Sequence, residues 1–573
     1  MVSNKDLILK HALANALTHE GKANEGAVLG KVLAENPGLK KDIENLRKEI
    51  KKVVSEVTKL KSVAQEKKLR EIWPEFFTQG KKEETRELPE LKNAVKGKVV
   101  LRLPPEPNGF IHIGNAISFF FNYYYAQKYN GKLILRFEDT NPEAEELEFY
   151  TAIKEDIDWL GIKYDEMKNN SDDMETFYSA AEKLVKKGAA YICTCDVETM
   201  RKNRFGGKAC VHREYDCKEN LDLWEHMFNE FKEGQAVLRL KSDLSSENTV
   251  MRDPTLFRIV EHAHPIQKNK YRVWPLYDFA NAVEDAICGV THVLRSAEFM
   301  QRDELQNKIR ELLEYKNPEI ISYSRINFAG SPTSKRKLLD LMNRKIISSW
   351  DDPRLVTIRA LRGRGFLPEA IYKMALNVRM TLSSTTIDWD MLAAENRKLL
   401  DKNANRYFFV PDPIKVEVKN APTRVIFVKL HPNFPERGER KQKVLGTFFV
   451  PREDVEKMAS GDVFRFKDAY NVKIDAKDSA VVRATFSGKD VIENTPKIQW
   501  VTPTNIPAEI RIPGVLLDKD ENPLLDSMKV VKGFCEEDCK NIKPGEAVQF
   551  ERFGFVKIEK IGAEKIEGIL THK

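Results

Sequence analysis

Residues 104–115, with the sequence PPEPNGFIHIGN, combine residue types and a spacing that suit phosphate binding. Gly109 and Gly114 lack side chains and would let a ligand approach the backbone closely. The helix predicted to follow would add free N–H groups and a dipole that favour phosphate. His112 and Asn115 are three residues apart and would share one face of that helix. An ordinary Pro/Gly turn with a capping asparagine is the alternative that spacing alone leaves open.

A second basic segment lies far downstream at residues 333–337, with the sequence TSKRK, in a loop rich in Gly, Pro and Ser. Three consecutive cations on such a loop could close over phosphates and neutralise the charge that develops in a transition state. Taken alone, however, a basic segment of this kind is more typical of a solvated surface loop. It therefore supports a phosphate site only together with residues 104–115.

Four of the seven cysteines fall between residues 193 and 217. Cys193 and Cys195 form a C-x-C pair, and Cys210 and His212 follow as C-x-H. These ligand types at this close spacing suit a tetrahedral zinc ion, with Cys217 either spare or in place of His212. The alternative is a small core of cysteines that bind no metal.

The elements that must position these residues begin with a short apolar run at residues 98–103 (KVVLRL). A helix is predicted at about 113–128 and a second strand at 133–137, which together make a parallel crossover unit. Such units bind ligands at the carboxyl ends of their strands, where residues 104–109 and 138–141 (EDTN) both lie. Residues 143–190 read as helical, and a second α/β stretch is predicted at 272–278, 290–294 and 322–328.

The length of 573 residues favours several domains, at about 150 residues each. The sequence predicts a multidomain α/β + β protein. Its predicted segments are a helical extension at 1–93, a first α/β half at 94–190, a cysteine-bearing insert at 191–270, a second α/β half at 271–339, a helical subdomain at 340–405 and β-barrels at 406–573.

Composition excludes several classes of protein. Hydrophobic residues make up 42% of the chain and charged residues 32%, which fits a soluble globular protein. We find no run of about 18 apolar residues and no secretory signal, so no membrane contact is expected. Seven cysteines are too few for a disulfide scaffold, which indicates the reducing cytoplasm. The net charge of +7 permits an RNA partner without requiring one.

The order of the motifs HIGN and SKRK resembles the two signatures of class I aminoacyl-tRNA synthetases. Further segments are similar to the glutamyl/glutaminyl branch, in the same order. They are LRFEDTNP at 135–142, WLG at 159–161, MRDP at 251–254, WPLYDF at 274–279, SYSRIN at 322–327 and WDDPR at 350–354. The segment GKANEGAVLGKVLAENP at 21–37 and the β-rich C-terminal region resemble the archaeal-type glutamyl members.

This resemblance implies a Rossmann-type parallel-sheet catalytic domain with an insert that binds the tRNA acceptor stem, a helical connective subdomain, and C-terminal barrels that bind the anticodon. It also implies glutamyl-adenylate formation from ATP, with Mg²⁺ bound to the nucleotide, and then transfer of glutamate to tRNA. The implied catalytic residues are His112, Asn115 and Lys335. The implied ATP-binding residues are Glu106, Asn108, Gly109, His112, Gly114, Asn115, Ser296, Arg325, Ile326, Thr333, Ser334 and Lys335. Many relatives carry a second histidine where this chain has Asn115, so a charged imidazole is not expected there.

The resemblance also implies a glutamate pocket formed by Arg102, Glu138, Tyr277 and Arg295. Glutaminyl relatives carry a small neutral residue at the position of Arg295, and a permanently charged guanidinium fits a carboxylate with two donors. Glutamate is therefore the predicted substrate, although a surface salt bridge is the alternative role for Arg295. Either arginine could hold either carboxylate.

The implied partners are L-glutamate and tRNA(Glu), and the sequence leaves open whether tRNA(Gln) is also charged with glutamate. Structural Zn²⁺ in the acceptor-stem insert, held by Cys193, Cys195, Cys210 and His212, is a hypothesis alongside the metal-free core. Monomer and dimer are not distinguished. The alternatives to a glutamate-charging enzyme are a glutaminyl-tRNA synthetase and a non-catalytic tRNA-binding paralogue.

Overall fold

The computed structural model of the protein describes residues 4–18, 21–60, 62–74, 76 and 87–573. The chain forms two compact units, Met1–Glu87 and Leu88–Lys573. Residues 88–93, predicted as part of the helical extension, lie in the second unit, where Leu88 and Leu91 pack into its core. None of the described helices is long and apolar enough to cross a membrane.

The first unit is helical, as the sequence predicts for its part of the chain. Its helices are α1 (Asn4–Thr18), α2 (Glu25–Glu35), α3 (Ile43–Thr58) and α4 (Ser62–Ile72). The apolar residues of α3 recur every three or four positions and are buried on one face, which packs against the other helices. The Lys and Glu residues of α3 lie on its exposed face, so this is a charge-laced packing helix.

A three-stranded parallel sheet opens the second unit. Its strands are β1 (Val100–Leu103), β2 (Lys132–Phe137) and β3 (Glu166–Asn169), and its helices are α5 (Ile113–Tyr129), α6 (Leu147–Trp159) and α7 (Met174–Lys186). The crossover predicted from β1 to β2 is confirmed by their parallel register. Strand β3 interrupts the stretch predicted to be helical, because the four residues EMKN are too polar and too short to show a strand pattern.

The next segment forms a four-stranded antiparallel sheet with two helices. Its elements are β4 (Ala190–Cys193), α8 (Val197–Gly206), α9 (Cys217–Asn229), β5 (Val237–Leu240), β6 (Thr255–Ile259) and β7 (Val273–Pro275). The strand predicted near 272–278 as part of the second α/β stretch belongs to this sheet instead, so that prediction is wrong. Strand β7 pairs with β6, because the apolar faces of the two strands share a core with β4 and β5.

The chain then returns to a parallel arrangement. Its elements are α10 (Tyr277–Ile287), β8 (His292–Ser296), α11 (Asp303–Leu313) and β9 (Glu319–Tyr323). Strands β8 and β9 are parallel, and the Thr291 N–H donates to the Val100 carbonyl at 3.0 Å, so β8 runs beside β1. Strands β2 and β3 are therefore added on one side of β1, and β8 and β9 on the other. A crevice forms outside the carboxyl ends of the strands where a sheet is extended on both sides in this way.

A helical segment follows, as predicted. It contains β10 (Ile326–Phe328), α12 (Lys335–Asn343), α13 (Ile358–Arg364), α14 (Pro368–Val378), β11 (Thr385–Ile387) and α15 (Trp389–Asn403). Strands β10 and β11 pair in parallel, which ties the segment to the loop after β9.

The C-terminal region consists of two barrel-like sheets and a hairpin, in agreement with the predicted β-rich character. Its elements are β12 (Arg406–Tyr407), β13 (Phe409–Pro411), β14 (Pro413–Lys419), β15 (Arg424–Lys429), β16 (Glu439–Val444), β17 (Thr447–Pro451), α16 (Arg452–Glu456), β18 (Val463–Phe466), β19 (Asn471–Lys477), β20 (Val481–Phe486), β21 (Lys497–Ile498), β22 (Asn505–Pro513), β23 (Met528–Glu536), β24 (Ala547–Phe550), β25 (Gly554–Ile561) and β26 (Ile566–His572). Tyr407, Phe408 and Trp500 are buried in these cores.

Candidate active site

A cleft of about 830 Å³ lies at the carboxyl ends of β1, β2 and β8. It brings together residues that the sequence places more than 200 positions apart. The predicted ATP-binding residues that line it are Glu106, Asn108, Gly109, His112, Gly114, Asn115, Ser296, Arg325, Ile326, Thr333 and Lys335. Ser334 does not line the cleft; it is exposed at the N-cap of α12. The predicted glutamate-binding residues Arg102, Glu138, Tyr277 and Arg295 all line it.

His112 and Asn115 are joined by a capping box rather than lying side by side on the helix. His112 precedes α5 with an extended backbone, and its Nδ1 accepts the Gly114 N–H at 3.0 Å. The His112 N–H in turn donates to Asn115 Oδ1 at 3.2 Å. A Cβ atom at Gly114 would come within 2.9 Å of the imidazole ring, so glycine is needed there. The amide group of Asn115 keeps its own N–H donors for a ligand.

Burial keeps the His112 ring neutral, and the capping box fixes which ring nitrogen carries the proton. Burial, together with the nearby Arg325, lowers the pKa of His112 to about 4, so the ring is neutral near pH 7. Since Nδ1 accepts a backbone hydrogen bond, the single ring proton lies on Nε2. His112 therefore offers a neutral N–H donor to the cleft.

Lys335 is the cation of the TSKRK segment that lines the cleft. It is the first residue of α12, and its Nζ atom lies 3.7 Å from Glu146 and 5.2 Å from the centre of the Phe149 ring. The helix dipole already favours an anion at this end, and the ammonium group adds to it. Lys337 is directed elsewhere and pairs with Glu521. The predicted clamp of three cations is thus reduced to one that lines the cleft.

Arg102 lies in β1, lines the cleft and is buried. Its Nε donates to Asp285 at 3.2 Å, while its buried Nη1 has no partner in the described part of the chain. Arg136 and Arg310 donate to the same carboxylate at 2.8 and 3.1 Å. Burial would raise the pKa of Asp285, but the three arginines outweigh it and lower the pKa to about 2. This carboxylate therefore fixes Arg102 while leaving one of its donors to a ligand.

Arg295 lies in β8 and is buried, with 6% of its surface exposed, so it is not a surface residue. One terminal nitrogen donates to Gln306 at 2.9 Å, and the other pairs with Asp303. Its buried Nε atom has no partner among the described residues. Arg295 therefore lines the cleft as a buried cation, and its two supports, Gln306 and Asp303, are not identified from the sequence.

Glu138 and Tyr277 complete this side of the cleft. Burial raises the pKa of Glu138, and the positive charges of Arg136 and Arg102 oppose that rise. Burial and the nearby Glu138 also raise the pKa of the Tyr277 phenol, so the hydroxyl stays protonated and can donate.

Neither Asn281 nor Asp285 is identified from the sequence. The Asn281 side chain accepts from Arg136 at 2.7 Å and also lies beside Glu138. A signal was available, because Tyr277, Asn281 and Asp285 recur every four residues and so share one face of α10.

The four predicted metal ligands also come together. The ligand atoms of Cys193, Cys195, Cys210 and His212 lie within 4.8 Å of one another. The sulfur atoms of Cys193 and Cys210 are 3.8 Å apart, close to the roughly 3.8 Å edge of a tetrahedral site with Zn–S bonds of about 2.3 Å. His212 directs Nδ1 to the Cys195 sulfur at 3.4 Å, and its Nε2 is held by Thr194 at 2.8 Å.

Cys217 lies outside this cluster. It is exposed, and its sulfur contacts only the Lys186 carbonyl at 3.9 Å among the hydrogen-bonding groups of the described residues. Its sequence-based role as a replacement for His212 is therefore wrong.

Family models match most of the chain in three segments. Residues 98–402 match the catalytic domain of class I tRNA synthetases (E and Q). Residues 404–487 and 497–559 match two anticodon-binding domains of the same family.

Full-length relatives agree with these matches. The chain is 42% identical to a protein of Thermococcus kodakarensis, 43% identical to one of Pyrococcus furiosus and 44% identical to one of Pyrococcus abyssi. Each alignment covers 99% of this chain and 99% of the relative, and each relative bears the name glutamate–tRNA ligase.

Proposed function

This chain belongs to the glutamate–tRNA ligases of the class I (E and Q) tRNA synthetase family and attaches glutamate to tRNA, and we propose that glutamate is activated in the cleft beside β1 and β8. The family reaction proceeds through a glutamyl-adenylate. One observation carries this assignment: two buried guanidinium groups, each with an unpartnered N–H, line the same cleft as the capped start of α5.

The phosphates of ATP would lie at the His112 side of the cleft. There the neutral Nε2–H of His112 and the amide of Asn115 would donate to phosphate oxygens. Lys335 would neutralise the charge that grows as a glutamate carboxylate oxygen attacks the α-phosphorus and the bond to pyrophosphate breaks. Mg²⁺ would travel with the phosphates and keep several water ligands.

Glutamate would lie at the arginine side of the cleft. Arg102 and Arg295 would hold its two carboxylates, and Glu138 would accept hydrogen bonds from its α-ammonium. Glutamine lacks the second charge and would leave one buried guanidinium poorly matched. The terminal ribose hydroxyl of tRNA would then attack the activated carbonyl and release AMP.

An aminoacylation assay tests this proposal with the whole purified chain. Glutamate and glutamine are each offered with transcripts of tRNA(Glu) and tRNA(Gln). We expect charging of tRNA(Glu) with glutamate; charging with glutamine, or no charging of any transcript, would contradict the proposal. The tRNA(Gln) arm measures whether glutamate is also loaded onto that tRNA.

The domain roles form part of the same proposal. The sheets of residues 406–573 would bind the anticodon and the insert at 191–270 the acceptor stem, with residues 94–190 and 271–339 forming the catalytic domain and 340–405 connecting them. The C-terminal part of this assignment is supported by the two matched anticodon-binding models.

Zinc in the insert is the proposed occupant of the Cys193, Cys195, Cys210 and His212 cluster. Its four ligands would cross-link β4 to the loop after α8 and so stiffen the insert, without taking part in the reaction. Metal analysis should find about one zinc per chain. Cys210→Ser should lose it and Cys217→Ser, outside the cluster, should keep it; a metal-free wild-type chain would refute the assignment.

A further inference from the structure

The β15–β16 hairpin presents two very different faces. Its strands pair antiparallel from Arg424 opposite Val444 to Lys429 opposite Glu439. Alternate side chains are buried against the rest of the C-terminal region; these are Ile426, Val428, Arg440, Gln442 and Val444. The hairpin is therefore fixed from behind, and its other face points to solvent.

The outer face carries an aromatic residue among lysines. Phe427 is 64% exposed and lies directly opposite Lys441. Lys429 and Lys443 lie at the neighbouring pairs of the same face. None of these three lysines forms an ion pair within the described residues, and Glu439 is the single acidic group on the face.

The support beneath this face is rigid. Arg440 and Glu536 form a buried ion pair at 2.5 Å, and Gln442 donates to Glu536 at 3.0 Å. Arg440 also donates to the Lys429 carbonyl at 2.8 Å, which fixes one strand of the hairpin to the other. A platform held in this way loses little conformational freedom when a ligand binds.

We propose that Phe427 is a stacking platform for an unpaired nucleotide of the tRNA, with Lys441 and Lys443 contacting the adjoining phosphates. An exposed ring offers its face to any base, and the surrounding cations complement the backbone of a single strand. A protein partner fits this face less well, because lysine is depleted at the cores of protein interfaces. The proposal rests on the tRNA-charging function given above and adds a contact that is remote in sequence from the cleft.

Phe427→Ala tests the contact in the full-length enzyme. Stacking contributes enough to binding that KM for tRNA(Glu) should rise roughly 5- to 100-fold, while kcat at saturating tRNA stays unchanged. Phe427→Trp should restore wild-type KM, whereas Phe427→Leu should not, because leucine has no π-face. Val491→Ala, at an equally exposed apolar residue of the same region, is the matched control and should leave KM unchanged.

A second measurement addresses the phosphates. Lys441→Ala should reduce the slope of log Kd for tRNA against log salt by about one, because one phosphate contact is lost. An unchanged KM in Phe427→Ala, or leucine rescuing as well as tryptophan, would overturn the proposal. Measuring Kd for tRNA directly separates this proposal from the proposed function, because tRNA binding can be measured even in a chain that does not charge glutamate.

Discussion

Replacing Asp285 with asparagine keeps the size of the side chain, removes its charge, and should loosen the amino-acid side of the cleft. Asp285 does not line the cleft, but it receives hydrogen bonds from Arg102, Arg136 and Arg310. We expect the variant to lose the fixed orientation of Arg102, the one of these arginines that lines the cleft and has a free buried donor.

The magnitude follows from the charge pairing. The pKa of Asp285 falls from its ordinary 3.8 to about 2, which corresponds to about 2 kcal/mol in favour of the ionised folded state. Because the folded pKa is depressed, this stability is present above pH 4 and is lost as the pH falls towards 2. The variant should lose more, roughly 3–5 kcal/mol at pH 7, since three buried guanidinium groups lose their shared counter-charge.

Two assays separate the roles of Asp285. Denaturant unfolding measures the lost stability, and aminoacylation at saturating ATP and tRNA measures KM for glutamate. We expect KM to rise at least about tenfold, equivalent to ~1.4 kcal/mol, with a smaller change in kcat. Glu536→Gln is the control, because it breaks a buried ion pair with Arg440 remote in sequence from the cleft and should lower stability without changing KM for glutamate at saturating tRNA. A destabilised Asp285→Asn enzyme with wild-type KM would refute the positioning argument.

Three further predictions concern the cleft itself. His112→Ala and Lys335→Ala should each slow ATP–pyrophosphate exchange, measured with tRNA present, at least about tenfold; wild-type rates in both would remove their phosphate role. Because the pKa of His112 is lowered to about 4, the ring stays neutral above that pH. The exchange rate should therefore depend on pH in the same way near pH 6.5 in the wild type and in His112→Gln. Arg295→Cys should reduce the activation of glutamate far more than it changes that of glutamine, and equal small effects on both would count against the glutamate pocket.

Local sequence patterns predicted the elements that carry the proposed phosphate site. The apolar run, PPEPNG and the helix follow one another along the chain, so the positions of His112 and Asn115 at the start of that helix could be inferred directly. Their exact relation could not, because the capping box depends on the backbone conformation of His112. The sequence also does not show which cation of TSKRK lines the cleft. Lys335 does so, whereas Lys337 pairs with Glu521, almost 200 residues further along the chain.

The supports of the proposed glutamate pocket were harder to predict because they are distant in sequence. Asp285 meets Arg102 across 183 positions, and no local periodicity reports such a pairing. Strand β7 was misassigned for the same reason, since an apolar run of three residues fits either sheet and its partner is decided by the shared core. By contrast, the close spacing of Cys193, Cys195, Cys210 and His212 made their cluster predictable from the sequence.

The charges around the proposed glutamate side of the cleft explain why a dicarboxylate would suit it. Arg102, Arg136 and Arg310 share Asp285, and Arg136 also pairs with Glu138. Arg295 pairs separately with Asp303, and Arg302 pairs with Asp278. These five guanidinium groups outnumber the four carboxyl groups by one. Glutamate carries two negative charges and one positive charge, so it would supply the missing anion, whereas glutamine has no net charge and would not. Discrimination would then arise from an uncompensated buried cation rather than from the shape of the pocket, and it should persist when residues that only fill space are changed.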